Sequence, residues 1–411
     1  MKNRLAIILF LGFSSGLPIN LITSTLQAWF ADANKSVLVT GMLSLIGLPY
    51  LLRGFLGPFV DRYSFKVLGK RRSWILLMHG LLFLGINFLG SLSPNTSINI
   101  IATTSFIIAL FSAFLDAAID AHRAEYLPVK YYGLGNALAV SAYRIAMIVS
   151  GGFALYIASK SNWHISYHVI SLFLIPGIIA ILISPEPSED EQKPISNITD
   201  LLAPIKIFFQ KEGIWTLVLF TFFYKLGESF TTSTSGIIMS FLIQGIGFSL
   251  DNIALVNKVV GVVAIIAGGI FSGVILTKYS LYKSLMSFGF IQAITNSLFV
   301  TLAIVGKNIS LFIVAVAADN FAAGMGTTAL IALFMRVADK RYTATNISIF
   351  IAIAAIPRII SGPLGAVIQS YLGWVGMYEL SVILALIYVP FLVALVKSKS
   401  ANNIILRETP T

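Results

Sequence analysis

The chain has 411 residues, of which 57% are hydrophobic and only 11% are charged. Soluble domains carry about 25% charged residues, so this composition excludes a water-soluble fold, and continuous rather than alternating apolar runs exclude a membrane β-barrel. The net charge of +11 does not indicate nucleic-acid binding, because Lys and Arg stand in short loops between the apolar runs, and the lack of cysteine excludes disulfides and thiolate metal sites.

Stretches of about 20 apolar residues are long enough to cross a bilayer as helices. Such stretches recur along the chain and predict an all-α membrane protein with twelve spans. The first follows Lys2 and Arg4 and is too long for a cleaved signal peptide, so we interpret it as a span. We number the predicted spans 1 to 12 in chain order: 5–29, 38–60, 73–91, 98–122, 133–158, 165–184, 213–243, 252–277, 284–305, 309–335, 344–370 and 374–396.

The basic residues of the loops predict the orientation. An even number of spans places both termini on one side, and nearly all loop Lys and Arg residues lie on that side. The other side has only Lys35, Lys160 and Lys307. By the positive-inside rule, we expect both termini in the cytoplasm.

The connection after span 6 is acidic and rich in proline, which is typical of a linker. We therefore predict two six-helix bundles that pack around a charged central cavity. The predicted boundaries are an N-terminal bundle at 1–184, a cytoplasmic linker at 185–212, a C-terminal bundle at 213–396 and a cytoplasmic tail at 397–411.

Weak internal similarity indicates that the two halves arose by duplication. Ser150-Gly151, Trp163 and Tyr167 recur at the same spacings in the second half. The second-half counterparts are Ser361-Gly362, Trp374 and Tyr378.

Charged residues inside the spans are the strongest functional signal, because a charge at mid-bilayer costs about 2.5 kcal/mol or more and normally faces a cavity or a partner. Asp116 and Asp120 share one face of span 4, and Arg123 follows three residues later, within reach along the helix. Lys225 and Glu228 have the same i, i+3 spacing in span 7. The functional candidates are Asp116, Asp120, Arg144, Lys225, Glu228, Lys258 and Arg358.

Two interpretations of these charges stay open, since buried charge pairs in helix bundles are often structural. We favour the structural interpretation for Arg53, Arg123 and Glu125 near the cytoplasmic end, and for the loop residues Asp61 and Arg62. We favour a functional role for the seven candidates, because charges of both signs at cavity depth exceed what packing requires.

A carboxyl group that is both desolvated and close to a cation can bind and release protons near neutral pH. We expect this proton-coupling role for Asp116 or Asp120, with Glu228 as the second candidate.

The basic candidates predict an anionic substrate, because Arg and Lys bind carboxylates and phosphates. Aromatic residues at similar depth are candidates for stacking on sugar rings, although packing or an interfacial belt explains such residues more often. The predicted substrate-binding residues are Arg144, Lys225, Lys258, Arg358, Tyr143, Tyr224 and Trp29.

Several strings resemble the AmpG-type muropeptide permeases of Gram-negative bacteria. In the first half these are Phe13-Ser-Ser-Gly-Leu-Pro18, Asp116-Ala-Ala-Ile-Asp120 and Tyr143-Arg144. In the second half they are Tyr224-Lys-Leu-Gly-Glu228 and Asn320-Phe-Ala-Ala-Gly-Met-Gly-Thr327. The resemblance covers residues 10–375, and its specificity lies in the order and spacing of the motifs.

This resemblance implies a major facilitator fold and proton-driven import of anhydromuropeptides from the periplasm to the cytoplasm across the inner membrane. The implied partners are an anionic glycopeptide, protons and the lipid bilayer, with no nucleic acid, no cofactor and no metal, and we expect a monomer. The sequence departs from the family at Leu115, where Gln is common, and at His122, where an aromatic residue is usual. Both departures bear on the identity of the cargo.

Two other functions stay open. One is a carrier of another anion, such as an acyl-coenzyme A or a sugar phosphate. The other is a membrane sensor that transports nothing, against which the near-absence of soluble mass argues. An enzyme is not expected, because the four His residues form no constellation with a nucleophile or metal ligands.

Overall fold

The computed structural model describes residues 2–52, 56, 60, 68–128, 131–186, 205–232, 237–338 and 343–397. Regular structure within these ranges is helical throughout, as the composition predicts. The structural candidates Arg53, Asp61 and Arg62 lie outside the described residues. Lys258 lies in a helix, but its side chain is outside the described part as well.

The first six spans are helices with several local changes of winding. Span 1 continues through a π-helical segment, which is a helix form that recurs at functional sites. The observed segments are Lys2–Asn20, Leu21–Thr25 (π) and Leu26–Asp32; Val37–Met42, Leu43–Gly47 (3₁₀) and Leu48–Leu51; Lys70–Gly90; Ile98–Tyr126; Tyr132–Ile148, Val149–Phe153 (π) and Ala154–Lys160; Trp163–Leu172 and Ile175–Ile183.

The last six spans show two departures from simple helices. In span 7 one helix ends at Ser229, the described residues 230–232 after it are not helical, and another helix begins at Ile238. Spans 11 and 12 meet at Gly373, whose φ of 67° is non-helical. The observed segments are Ile214–Ser229, Ile238–Ser240 and Phe241–Gly245 (π); Leu250–Ile253, Ala254–Val260 (π) and Gly261–Lys278; Leu281–Val305; Ile309–Val337; Thr343–Leu384 and Tyr388–Lys397.

Nine helical stretches among the described residues are long and apolar enough to cross a membrane. One of them, Thr345–Lys397, holds both span 11 and span 12. Spans 2 and 7 consist of shorter pieces and are not among the nine. Each of the twelve predicted spans therefore contains helix among its described residues.

The chain forms two compact units. Unit 1 comprises residues 1–35 and 46–196, and unit 2 comprises residues 36–45 and 197–411. The short segment 36–45 belongs to unit 2 because Gly41 meets Gly362 backbone to backbone, and because the Ser44 hydroxyl donates to the carbonyl of Ile359 at 2.5 Å. This assignment differs from the predicted partition, which places the whole of span 2 in the first bundle.

Both units repeat one aromatic arrangement at equivalent sequence positions. In unit 1 the ring of Trp29 lies 5.9 Å from Trp163 and 5.0 Å from Tyr167. In unit 2 the ring of Phe241 lies 5.3 Å from Trp374 and 4.7 Å from Tyr378. Each trio joins the first span of its unit to the aromatic residues that the sequence repeat singles out.

Candidate functional site

A buried ion pair in unit 2 is the centre of the candidate site. Lys225 and Glu228 lie one turn apart on the helix Ile214–Ser229, and the Lys225 ammonium nitrogen is 2.8 Å from Glu228 Oε1. The same nitrogen donates to Thr327 Oγ1 of span 10 at 2.7 Å. Arg358 of span 11 approaches Glu228 Oε1 at 3.4 Å through Nη2. Three of the predicted functional residues therefore meet at one carboxylate.

The exposure of these three residues differs in a way that matters for binding. The Lys225 and Glu228 side chains are 6% and 8% exposed, whereas Arg358 is 42% exposed. A buried charge requires a partner, so Lys225 and Glu228 depend on each other. Arg358 presents part of its guanidinium to the surroundings, and a guanidinium suits bidentate contact with a carboxylate or phosphate.

A narrow cavity adjoins Glu228. Its lining includes Tyr224 from span 7, Gln292 from span 9 and Gly326 from span 10. The Tyr224 hydroxyl and Gln292 Oε1 are buried, and neither has a hydrogen-bond partner among the described residues. The cavity therefore offers a carboxylate and two unsatisfied polar atoms. Tyr224 was predicted as a stacking residue, and its ring packs edge-on against Tyr388 at 5.2 Å.

A second buried carboxyl group, Asp319 in span 10, lies in the same unit and is 1% exposed. Its Oδ1 accepts hydrogen bonds from Thr231 Oγ1 at 2.8 Å and from Gln292 Nε2 at 2.7 Å. Gln292 also donates to Asn296, which in turn donates to the carbonyl of Gly227 at 2.8 Å. Spans 7, 9 and 10 are thus joined by one polar network.

The carboxylates of unit 1 lie in span 4. Asp116 is 1% exposed and accepts a hydrogen bond from the Ser15 hydroxyl of span 1. Asp120 Oδ1 lies 2.8 Å from Arg123 Nη2, at the i, i+3 spacing that helical periodicity predicts. The two acidic candidates therefore have different environments, since Asp116 is enclosed whereas Asp120 is 41% exposed and paired with Arg123.

Span 5 brings Tyr143 and Arg144 next to span 1. Gly16 allows the backbone of span 1 to touch the backbone at Tyr143, because a side chain at that position would collide with it. Arg144 is exposed, and its Nη1 contacts Met147 Sδ at 3.8 Å. Within the described part of the chain, no carboxylate lies within 4 Å of Arg144.

The charges at the Glu125 end of span 4 form a separate network. Arg71 Nε donates to Glu125 Oε2 at 2.9 Å, and the backbone nitrogen of Arg71 donates to Glu186 at 2.7 Å. Arg123 takes no part in this contact, since it pairs with Asp120. His122 is fully buried and its Nε2 lies 3.2 Å from Ser184 Oγ. These contacts tie spans 3, 4 and 6 together.

The remaining two residues of interest in unit 1 are enclosed. Trp29 is 4% exposed and packs against Trp163, Tyr167 and His164. Leu115, where the resemblance leads us to expect Gln, is fully buried. Neither side chain presents a surface to a solute in this conformation.

Sequence reasoning did not single out Thr231, Gln292 or Thr327. Each is an uncharged polar residue, and its role depends on partners from distant parts of the chain. A signal for Thr231 was present, since the run from Thr231 to Gly236 contains only hydroxyl residues and glycine. Such residues compete with helical hydrogen bonds and favour a break in a span.

Comparison with known proteins agrees with this architecture. The sequence profile of the Major Facilitator Superfamily matches residues 8–362. The anhydromuropeptide permease of Escherichia coli is 36% identical over 380 residues, covering 92% of this chain and 77% of that protein.

Among solved structures, the nucleoside transporter NupG superposes with a TM-score of 0.72 at 13% identity, covering 95% of this chain and 99% of that one. A POT family transporter in complex with a thioalcohol-conjugated peptide gives a TM-score of 0.72 at 12% identity, covering 97% and 96%. The predicted major facilitator fold is confirmed, and so is the resemblance drawn from the motifs. The chain belongs to the AmpG-type permease family of the major facilitator superfamily, and is a multi-pass inner-membrane transporter rather than an enzyme.

Proposed function

We propose that this permease imports anhydromuropeptides from the periplasm to the cytoplasm and that the proton gradient drives the import. The cargo is a disaccharide that carries peptide carboxylates, so it needs cationic partners. The observation that carries the proposal is the cluster of the buried Lys225 and Glu228 with the partly exposed Arg358, which combines a carboxylate with two cations. The relative in Escherichia coli, named for anhydromuropeptides, supports the choice of cargo.

Proton coupling needs a carboxyl group whose protonation changes the ion pairs of neighbouring residues. Glu228 meets this requirement, because adding a proton to it removes the partner of Lys225 and of Arg358. The two cations would then be available to an anionic cargo. Asp116 is the corresponding candidate in unit 1, since its side chain is as enclosed as that of Glu228, and Asp120 is the second. Arg144 and Lys258 complete the proposed set of cations.

Transport direction and membrane orientation belong to the same proposal. The bias of Lys and Arg towards one set of loops supports cytoplasmic termini. Uptake of labelled anhydromuropeptide into right-side-out vesicles, compared with everted ones, tests the direction. We expect accumulation in right-side-out vesicles only, and collapse of that accumulation on addition of an uncoupler.

The coupling residues are tested in the same assay. We expect Asp116→Asn, Asp120→Asn or Glu228→Gln to lower proton-driven accumulation while the protein remains in the membrane. If both aspartate variants accumulate cargo as the unchanged protein does, the proton-coupling role assigned to span 4 is wrong. If the unchanged protein shows no proton-dependent uptake, the cargo or the coupling is wrong, while the fold stands.

A carrier of another anion is the alternative that the sequence favours most after this one. The fully buried Leu115, in place of an amide beside Asp116, supports a difference in cargo. Competition separates the two proposals. Unlabelled acyl-coenzyme A or sugar phosphate should leave uptake of labelled anhydromuropeptide unchanged if the muropeptide is the cargo.

A further inference from the structure

Asp319 is a carboxyl group that the proposed function does not use. It lies in span 10, is 1% exposed, and has no cation within 4 Å among the described residues. In a low-dielectric interior, burying an ionised carboxylate without a cation costs far more free energy than burying its protonated form or a carboxylate paired with a cation. Aspartate side chains are rarely buried to this extent without a cation, so the burial of Asp319 indicates more than a structural role.

The second observation is the hydrogen bond that Asp319 accepts from Thr231. Thr231 donates to Asp319 Oδ1 at 2.8 Å and stands two residues after Ser229, the last residue of the first helix of span 7. The same hydroxyl is 3.2 Å from the carbonyl of Glu228. Irregular backbone at membrane depth is tolerated where it is buried in protein or lines a cavity, and discontinuous helices mark the sites of many transporters.

The third observation is the arrangement of ionisable groups around Asp319. Glu228 on span 7 and Tyr378 near the junction of spans 11 and 12 interact with it electrostatically. Lys225 and Arg358 pair with Glu228 instead. Two carboxyl groups therefore share one polar region, with the cations on one side of it. Negative charges on Glu228 and Asp319 repel each other in this region.

We propose that Asp319 is a second proton-binding group of the transport cycle and that it controls the end of the first helix of span 7 through Thr231. The ionised carboxylate accepts strong, charge-assisted hydrogen bonds from Thr231 and Gln292. Uptake of one proton converts it to a carboxylic acid, which accepts these bonds more weakly and carries an O–H donor of its own. Thr231 is then released, and release of the proton restores the original contacts.

This inference rests on the proposed proton-coupled transport, so its test separates accumulation from exchange. The variant Asp319→Asn retains an acceptor for Thr231 and Gln292 but cannot bind the proton. In proteoliposomes we expect it to lose proton-driven accumulation of anhydromuropeptide at least tenfold and to retain exchange of internal for external cargo. The matched control is Glu379→Gln, which removes an exposed carboxyl group near the outer end of the same unit.

The role of Thr231 is tested by comparing substitutions at Thr231 with the same substitution at Thr232. Thr231→Val removes the hydroxyl and should reduce accumulation, whereas Thr231→Ser should restore it. Thr232→Val is the control, since it makes the same change one residue away.

Equal accumulation by Asp319→Asn and the unchanged protein overturns the proposal, because the amide can replace the carboxylate as a purely structural acceptor.

A measurement on the protein without cargo tests proton binding by Asp319 independently of the proposed cargo. Infrared difference spectra of the purified protein between acidic and alkaline buffer report carboxyl groups that gain a proton. We expect one such band to disappear in Asp319→Asn and to persist in Glu379→Gln. If the spectra of Asp319→Asn and the unchanged protein are identical, Asp319 does not bind the proton, whatever the cargo proves to be.

Discussion

The ammonium nitrogen of Lys225 lies 2.8 Å from Glu228 Oε1, within a helix that buries both side chains. Thr327 Oγ1 accepts a hydrogen bond from that ammonium, and Arg358 approaches the same carboxylate oxygen from span 11. The pair of Lys225 and Glu228 therefore links spans 7, 10 and 11 of unit 2. A change in the charge of Glu228 would weaken its contacts with both Lys225 and Arg358, as the proposed coupling requires.

The first prediction concerns the stability of this pair. Glu228→Gln leaves the buried Lys225 without a carboxylate, so we expect it to lower the free energy of unfolding by about 3–5 kcal/mol. Lys225→Met leaves Glu228 with Arg358 as its remaining cation, so we expect a smaller loss. The double variant should lose less than the sum of the two, because no unpaired charge remains in the pair. Thermal unfolding of the purified protein in detergent measures all three. Strictly additive losses would show that the two residues act independently.

The second prediction concerns the packing of spans 8 and 10. Gly268 and Gly324 bring the two backbones into contact, since a side chain at Gly268 would collide with the carbonyl of Phe321. Gly273, on the same helix as Gly268, has no atom within 4 Å of the position of an added Cβ.

Alanine in a helix is favoured over glycine by about 1 kcal/mol. We therefore expect Gly273→Ala to maintain or raise the unfolding temperature and Gly268→Ala to lower it. The comparison uses the same substitution on the same helix, so it isolates the close approach. A lower temperature for both variants to the same extent would contradict the packing argument.

The sequence predicted the contacts that lie along one helix. The i, i+3 spacing was enough to identify Lys225 with Glu228 and Asp120 with Arg123, because helical periodicity alone brings such residues together. The contact between Lys225 and Thr327 joins residues 102 positions apart, and it depends on how spans 7 and 10 pack. The same holds for Arg71 and Glu125, which lie 54 positions apart. Hydropathy does not encode such partners.

The break in span 7 shows a second limit of the sequence reasoning. Apolar residues on both sides of the break favoured one continuous span at 213–243, whereas the helix ends at Ser229. Mean hydropathy averages over a window and does not register a short polar run. The repeat, in contrast, was visible in Trp163 and Tyr167 because aromatic packing conserves residue type and spacing within each unit.

The third prediction concerns the start of span 3. Glu186 accepts hydrogen bonds from the backbone nitrogens of Arg71 at 2.7 Å and Arg72 at 3.2 Å. A carboxylate at a helix N-terminus satisfies unpaired N–H groups and interacts favourably with the helix dipole. We expect Glu186→Ala to lower the free energy of unfolding by about 1–2 kcal/mol, with a smaller loss at high salt.

The control for this prediction is Glu212→Ala, which removes an exposed carboxylate elsewhere in the chain. Its effect on unfolding in detergent should be within about 0.5 kcal/mol. Equal losses for the two variants would mean that the helix start gains nothing specific from Glu186.

The last prediction separates packing from sugar stacking at Trp29. The ring is 4% exposed and lies 5.9 Å from Trp163 and 5.0 Å from Tyr167. A large aromatic residue in such a setting contributes about 3–5 kcal/mol of stability relative to alanine. We expect Trp29→Ala to lose stability on that scale, and Trp29→Phe to lose less because an aromatic ring remains.

Phe241 provides the matched comparison, since it packs on Trp374 and Tyr378 at the equivalent position of unit 2. If Trp29 only packs, Trp29→Phe should keep the KM for cargo unchanged, and Phe241→Ala should lose stability as Trp29→Ala does. If Trp29 stacks on a sugar ring in another conformation of the cycle, Trp29→Phe should raise KM severalfold at nearly unchanged unfolding temperature. Uptake kinetics and thermal unfolding of the same preparations therefore decide between the two roles, because packing predicts a change in stability alone.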